Sequence, residues 1–201
     1  MTLRLLLIPL LASLAACGTT QTNMPYSPTV PVTAAVPASP AVAVSDRVAN
    51  ERRAGREDPT WIGTIRGGYG NPLKRLNSDV PVDQVVARAF ADGLAARGLQ
   101  APAGGASPYL LSITIHQFDA NQYVRREATA DFSAVLTERA TGREVWRDRH
   151  RAYKVDGSLL SLSTGVLAST EDLRRVALLT MSEAVDALLD KPAFRAALRR
   201  G

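Results

Sequence analysis

Few side chains in this 201-residue sequence have the types and spacing that metal binding needs. Cys17 is the only cysteine, so the chain offers it neither a disulfide partner nor a second thiolate for a metal. The two histidines, His116 and His150, fall on predicted strands, and sharing a metal would require both to face the same way on adjacent strands. A carboxylate such as Asp119 or Asp148 would have to complete the set. Two half-exposed strand histidines are the simpler interpretation, and we predict no metal site.

Catalytic patterns are equally weak. Serine is frequent, but no Gly-x-Ser-x-Gly elbow is present and the spacing indicates no serine triad. The strand carboxylates available for acid–base chemistry form no pair that spacing alone can select: Asp119, Glu127, Asp131 and Asp148. We therefore predict that the protein is not an enzyme, and we keep a hydrolytic enzyme as a remote alternative.

The residues that precede Cys17 form a pattern typical of a secretory signal. Arg4 supplies a positive charge, an apolar run covers residues 5–14, and small residues precede the cysteine. The apolar run is shorter than the about 20 residues of a membrane-spanning helix. The pattern resembles the lipobox of bacterial lipoproteins, and a secretory signal with a chance cysteine is the alternative.

The lipobox resemblance implies a processed and lipidated N-terminus. The chain would be cleaved between Ala16 and Cys17, and the cysteine would carry a diacylglycerol on its sulfur and an acyl chain on its amine. Several acyl chains anchor a protein stably, at about 0.8 kcal/mol per buried CH₂. Gly18 follows in place of the aspartate typical of inner-membrane retention, so we expect the inner leaflet of the outer membrane, with the domain facing the periplasm. No cofactor besides this lipid is predicted.

Composition indicates one globular domain. Hydrophobic residues make up 46% and charged residues 21% of the chain. The net charge of +5 falls to +4 when residues 1–16, whose one charge is Arg4, are removed. This excess is small for the length, and the signal directs the chain to the envelope, so we predict no nucleic-acid partner.

Residues 17–40 are predicted to be the lipidated cysteine and a tether. Prolines recur at a density that denies a helix and favours extended segments: Pro25, Pro28, Pro31, Pro37 and Pro40. Local packing of this stretch along the domain is the alternative. The predicted organisation is thus a signal at 1–16, the tether at 17–40 and a single periplasmic domain at 41–201.

Hydrophobic periodicity within 41–201 predicts an α+β fold. Alternating patterns predict strands at 41–48, 61–65, 109–119, 127–138 and 144–155. Apolar stripes at helical spacing predict helices at 81–97 and 170–190, followed by a short basic helical tail. We expect an antiparallel or mixed sheet of about five strands with the two amphipathic helices packed on one face.

Two surfaces are candidates for contact with a partner. Arg147, Arg149 and Arg151 share one face of a strand and would suit an anionic lipid or glycan, although charges on a solvated edge strand are the alternative. The loop at 155–169 would expose an apolar patch unless its leucines cap the sheet: Leu159, Leu160, Leu162 and Leu167.

Four segments and the lipobox resemble the YajG-like family of bacterial lipoproteins. The segments are Val42-Ala43-Val44-Ser45-Asp46-Arg47, Trp61-Ile62-Gly63, Leu94-Ala95-Ala96-Arg97-Gly98 and Glu144-Val145-Trp146-Arg147. The resemblance implies a small α/β lipoprotein with no assigned catalytic site and no established ligand, similar in fold to auxiliary lipoproteins of envelope transport and assembly machines. The long proline-rich stretch and the leucine-containing loop depart from the family.

We therefore expect a membrane-anchored, non-catalytic accessory or binding module for an envelope protein complex. The alternative is a structural envelope lipoprotein that binds anionic lipid or glycan through its arginines. The oligomeric state is not predicted by the sequence.

Overall fold

One mixed sheet and three helices form the part of the chain that the structure, a computed structural model, describes: residues 18–32, 41–102, 107–156 and 169–199. The strands are β1 (Gly18–Thr22), β2 (Val42–Val44), β3 (Ala49–Asn50), β4 (Trp61–Arg66), β5 (Pro72–Ser78), β6 (Tyr109–Gln122), β7 (Arg126–Glu138) and β8 (Glu144–Asp156). The helices are α1 (Val82–Ala96), α2 (Thr170–Leu189) and α3 (Pro192–Leu198). The sheet order is β1-β5-β4-β6-β7-β8, with β2 and β3 also paired to β6.

The long meander of β6, β7 and β8 is the centre of the fold. Its strands pair antiparallel along almost their whole length, from Tyr109 opposite Glu138 to Gln122 opposite Arg126. Side chains alternate between a buried face and a polar face, as the sequence predicts. Gly142 closes the β7–β8 hairpin with a φ of 70°, in the left-handed region that favours glycine.

Three short strands line up in parallel along one edge of β6. The predicted strand at 41–48 is shortened to β2, the two-residue strand β3 follows just beyond it, and β4 continues the line beside the end of β6. Arg52 occupies the gap between β3 and β4, where its Nη1 donates to Trp61 O at 2.9 Å and to Phe118 O at 2.8 Å. Burial lowers the pKa of Arg52 to about 10. The buried Arg52 side chain thus supplies hydrogen bonds in the gap where neither β3 nor β4 pairs with β6.

Besides the short strand β3, two longer strands were not expected from the sequence, and the three together enlarge the sheet from about five strands to eight. β5 returns from the glycine-rich turn and pairs antiparallel with β4. β1 then adds to β5 in parallel, with Gly18 opposite Lys74 and Thr22 opposite Ser78. Both strands are too polar to show the alternation of a half-buried strand. The tether prediction is therefore corrected for residues 18–22, which form an edge strand.

All three helices cover the same face of the sheet. The ring of Phe90 on α1 meets that of Phe132 on β7, with 6.0 Å between centroids. Phe194 on α3 meets Trp146 on β8 at 5.0 Å. Lys154 of β8 pairs with Glu183 of α2 on this same face. The predicted pair of helices is thus joined by a third, because the expected basic tail has a buried apolar side of its own.

The close crossing of β4 and β6 gives a stability test. A Cβ added at Gly63 would lie 1.9 Å from the backbone oxygen of Ala120, which cannot move without breaking the ladder. We expect Gly63→Ala to lower the free energy of unfolding by about 1–3 kcal/mol or more, measured by urea denaturation. Gly68→Ala is the control, since a Cβ there meets no atom within 4 Å. Equal free energies of unfolding for the two variants would contradict this account.

Candidate functional site

The segment that follows the predicted lipidation site lies on the domain. Ala16 and Cys17 are outside the described residues, but Gly18 is the first residue of β1. Beyond β1 the chain leaves the sheet edge, and Met24 is buried to 4% exposure in the hydrophobic core. The predicted tether is therefore wrong for residues 18–32, which include the edge strand β1. Residues 33–40 lie outside the described part of the chain.

A buried arginine holds this segment in place. Arg97, just after α1, donates from Nε to Asp190 Oδ1 and from Nη2 to Asp186 Oδ1, both at 2.9 Å. Its Nη1 donates to Gly93 O at 2.9 Å and to the hydroxyl of Tyr26 at 3.1 Å. The Arg97 side chain is only 2% exposed and that of Asp186 only 4%. The two helices and the N-terminal segment thus meet at one guanidinium group, which we call the Arg97 cluster: Tyr26, Arg97, Asp186 and Asp190.

The segment contributes its own donors to this cluster. The Tyr26 hydroxyl donates to Asp186 Oδ1, and Thr29 donates from both its backbone nitrogen and its hydroxyl to Asp186 Oδ2, each at 2.7 Å. Burial, together with the hydrogen bond to Asp186, raises the pKa of Tyr26 to about 12. Although burial alone would raise it, the pKa of Asp190 is lowered by its hydrogen bonds and proximity to Arg97 and Arg195. Burial alone would lower the pKa of Arg97, but its hydrogen bonds to Asp190, Tyr26 and Asp186 raise it. Arg97 and Asp190 therefore stay ionised across the neutral range, with Tyr26 as a neutral donor.

The predicted arginine row lies on the face of β8 away from the helices, and carboxylates already neutralise much of it. Arg147 contacts Glu144 at 2.7 Å, and Arg149 makes two bonds of 2.7 Å to Asp131. The hydrogen bonds from Arg149 hold the pKa of Asp131 below its usual range. β8 is also the last strand in the sheet order. This surface therefore has the paired charges of a protected edge strand.

The polar face of the sheet, the one opposite the helices, brings together a serine, a histidine and a glutamate. His116 Nε2 lies 2.6 Å from Ser133 Oγ, and His116 Nδ1 lies 2.8 Å from Glu51 Oε2. This is the order of contacts in a nucleophile–base–acid triad, and sequence spacing missed it because the three residues come from different strands or loops. His150 sits opposite Phe132, on the helix-covered face. The two histidines are thus on opposite sides of the sheet and cannot share a metal.

The surroundings of Ser133 lack what acyl transfer requires. Ser133 is in the middle of β7, between Thr114 of β6 and Arg149 of β8, so the nearby backbone N–H groups point along the sheet into its ladders. An oxyanion needs such donors pointing at it. Two cavities formed by described residues lie elsewhere. One, of about 650 Å³, is between β2 and α1, and another, of about 440 Å³, is between β8 and α3.

The predicted leucine-containing loop, a metal site and a membrane-spanning helix are the remaining features that the sequence raised. Leu159, Leu160, Leu162 and Leu167 lie outside the described residues, whereas residues 155 and 156 belong to β8 rather than to the predicted loop. Within the described ranges, no group of three His, Cys, Asp or Glu side chains could hold a metal. None of the helices described is both long and apolar enough to span a bilayer.

Comparison with known proteins identifies the fold but no family. No family model matches the chain, and no curated protein sequence matches it. Protein XCC0632 of Xanthomonas campestris, from the family DUF330, is 18% identical over 88% of this chain and 98% of its own, with a TM-score of 0.57. This similarity shows a shared fold.

Two weaker similarities are to a PelC dodecamer from Paraburkholderia phytofirmans and to a candidate lipoprotein from Caulobacter crescentus. PelC is 16% identical over 79% of this chain and 95% of its own, with a TM-score of 0.42. The Caulobacter protein is 17% identical over 59% of this chain and 84% of its own, with a TM-score of 0.40. Chains named as lipoproteins are thus among the structural neighbours, but similarity at this level carries no argument about function. The resemblance to the YajG-like family stays a prediction.

The Arg97 cluster gives a test of how the N-terminal segment is held. Arg97→Met would leave Asp186 buried without its counter-charge, and we expect it to destabilise the protein by about 3–5 kcal/mol in urea denaturation. Tyr26→Phe removes only the hydroxyl, so limited proteolysis should cleave residues 18–32 faster while the rest of the domain stays resistant. Val30→Ala, at a side chain that is 47% exposed, is the control. If Tyr26→Phe and Val30→Ala were cleaved at the same rate, the cluster would not hold the segment.

Proposed function

We propose that this protein is a lipid-anchored lipoprotein of the bacterial cell envelope that acts by contact, as a non-catalytic accessory or binding module for an envelope protein complex. The observation that carries the proposal is the lipobox ending at Cys17, one residue before a strand of the folded domain. We place the anchor in the inner leaflet of the outer membrane because Gly18, not an aspartate, follows the cysteine. The cavities between β2 and α1 and between β8 and α3 include neither Ser133 nor His116 in their lining, which supports the non-catalytic role.

The structural alternative, binding of anionic lipid or glycan by the arginine row, loses support from the ion pairs of that surface. Arg149 would have to exchange two short bonds to Asp131 for bonds to a ligand, and Arg147 would have to leave Glu144. Exchanging one carboxylate for another anionic group yields little net free energy at an exposed site. We therefore favour a partner that is recognised by shape and polarity over one recognised by its negative charge.

Lipidation at Cys17 can be tested directly in a bacterial host. We expect the protein to incorporate an alkyne fatty acid and to stay in the membrane fraction after a high-salt wash, since acyl chains anchor independently of ionic strength. Cys17→Ser should lose the label. The double variant Arg147→Gln/Arg151→Gln is the control and should keep both the label and the membrane association. Fatty-acid incorporation by Cys17→Ser at the native level would refute the proposal.

The contacts of Ser133, His116 and Glu51 favour hydrolysis as a second candidate function, and an active-site probe decides between the two. Because no backbone donor faces the Ser133 hydroxyl, we expect no covalent labelling of the purified protein by a fluorophosphonate, measured by intact mass. Ser133→Ala should have the same mass shift of zero. Stoichiometric labelling that disappears in both Ser133→Ala and His116→Ala would establish a serine hydrolase instead.

A further inference from the structure

One end of the sheet collects the start of β1 and the turns that follow β4 and β6. Gly18 is opposite Lys74 near the start of β5, and Arg66 at the end of β4 is opposite Pro72. The end of β4 is also beside the end of β6, since Ile65 is opposite Gln122. The turns at 67–71 and 123–125 therefore lie at the same end as Gly18, which we call the Gly18 end. The β7–β8 turn at 139–143 lies at the opposite end.

Exposed apolar side chains are concentrated at the Gly18 end. Among the described residues, seven large hydrophobic side chains are exposed, and five of them are here: Tyr69 (102%), Tyr123 (49%), Val124 (45%), Tyr153 (51%) and Val155 (41%). The other two, Val30 and Leu179, lie by the Arg97 cluster and along α2. The Tyr123 hydroxyl donates to Gly68 O at 2.8 Å, which joins the two turns into one surface. Tyrosine, with an apolar ring and a polar tip, suits the interface between water and lipid.

The proposed anchor at Cys17 would place this surface next to the lipid bilayer. Cys17 precedes Gly18 directly, and one residue spans at most about 3.6 Å, so its acyl chains would enter the bilayer beside the start of β1. Neighbouring strands are about 4.8 Å apart, which places β6 and its turn roughly 15 Å from β1, across β5 and β4. The Arg97 cluster keeps residues 24–29 on the domain and so prevents this segment from acting as a spacer. A domain held this close presents its Gly18 end to the lipid surface.

Charge supplies only part of the strength of this contact: Arg66 at the end of β4 donates to the neutral Gly70 O at 3.1 Å, whereas two other cations are balanced by carboxylates. The arginines of the 123–125 turn and of the first residue of β7 are paired, Arg125 with Glu127 at 2.7 Å and Arg126 with Asp172 at 3.2 Å. Attraction to anionic head groups requires unbalanced cations close to the surface. The chemistry at this end therefore fits the head-group region of a zwitterionic phospholipid layer, entered by Tyr69 and Val124 next to the acylated cysteine.

We propose that the Gly18 end is a membrane-contact surface, in which the turns at 67–71 and 123–125 insert Tyr69, Tyr123 and Val124 into the head-group region beside the lipid anchor. This inference rests on the proposed function, because it takes Cys17 as the point of attachment. The contact is weak alone and becomes persistent because the anchor makes it intramolecular. It sets the orientation of the domain on the membrane.

The experiment attaches the protein chemically, so that it does not depend on lipidation in the cell. The chain from Cys17 onward, which retains every described residue, is coupled through its single thiol to a maleimide lipid in phosphatidylcholine vesicles. Amide hydrogen exchange is compared between the coupled and the free protein. We expect exchange to slow severalfold in the turns at 67–71 and 123–125, with no change in the turn at 139–143, and the slowing to persist without phosphatidylglycerol and in added salt.

Matched variants separate surface contact from folding. Tyr69→Ser/Val124→Ser should lose the slowing, whereas Leu179→Ser, which removes an exposed apolar side chain from α2, should keep it. Tyr69→Ser alone, at a fully exposed position, should lose part of it, and the free variants should exchange like the free native protein. Unchanged exchange at both turns on coupling, or equal slowing at 139–143, would overturn the proposal, as would slowing that needs anionic lipid. If the native protein incorporated no fatty acid in cells, that result would refute the proposed anchor but not the membrane contact measured with the coupled protein.

Discussion

The burial of the Arg97 guanidinium is the interaction on which the arrangement of this protein depends. Removing an arginine from water costs several kcal/mol, and only short bonds to ionised or polar acceptors offset that cost. Here the acceptors come from Gly93 of α1, from Asp186 and Asp190 at the end of α2, and from Tyr26 of the N-terminal segment. Separating the two helices would leave a charge buried and unpaired, and moving the segment would remove the hydrogen bonds that Tyr26 and Thr29 make to Arg97 and Asp186. The segment that follows Cys17 is thereby made part of the fold.

This constraint changes what a lipid anchor does. A long flexible tether would let the domain rotate freely, whereas an anchor beside a sheet strand restricts it to a few orientations. The strands run away from the Gly18 end, so contact of that end with a bilayer would stand the sheet upright on the membrane. With Cys17 lipidated as proposed, the buried cluster, the edge strand β1 and the exposed tyrosines would therefore act on one property, the orientation of the domain.

The sequence was informative wherever burial follows a local period. The β6–β8 meander and the helices α1 and α2 show alternation of two or an apolar stripe of 3.6, because one side of each element faces the core. β1 and β5 have no such period, since β1 is an exposed edge strand and β5 is mostly polar. The proline content of 17–40 suggested a tether. The sequence could not show that this stretch packs on the domain, because the hydrogen-bond partner of Tyr26 and Thr29 lies more than 150 residues away. Similarly, period two placed the arginine row on one face but could not show that Arg149 would pair diagonally with Asp131 of the neighbouring strand.

An upright sheet determines which surfaces remain for a protein partner. The helix-covered face is closed by α1, α2 and α3, whereas the opposite face presents Ser133, His116 and the Arg149–Asp131 pair. Those groups have satisfied hydrogen bonds and little net charge, so they favour a partner that supplies matching polar groups over a simple anion. Because this face would stand perpendicular to the membrane, it is equally accessible to a second envelope lipoprotein and to the periplasmic part of a membrane complex. The proposed anchor would thus contribute to recognition by fixing the angle at which the polar face is presented.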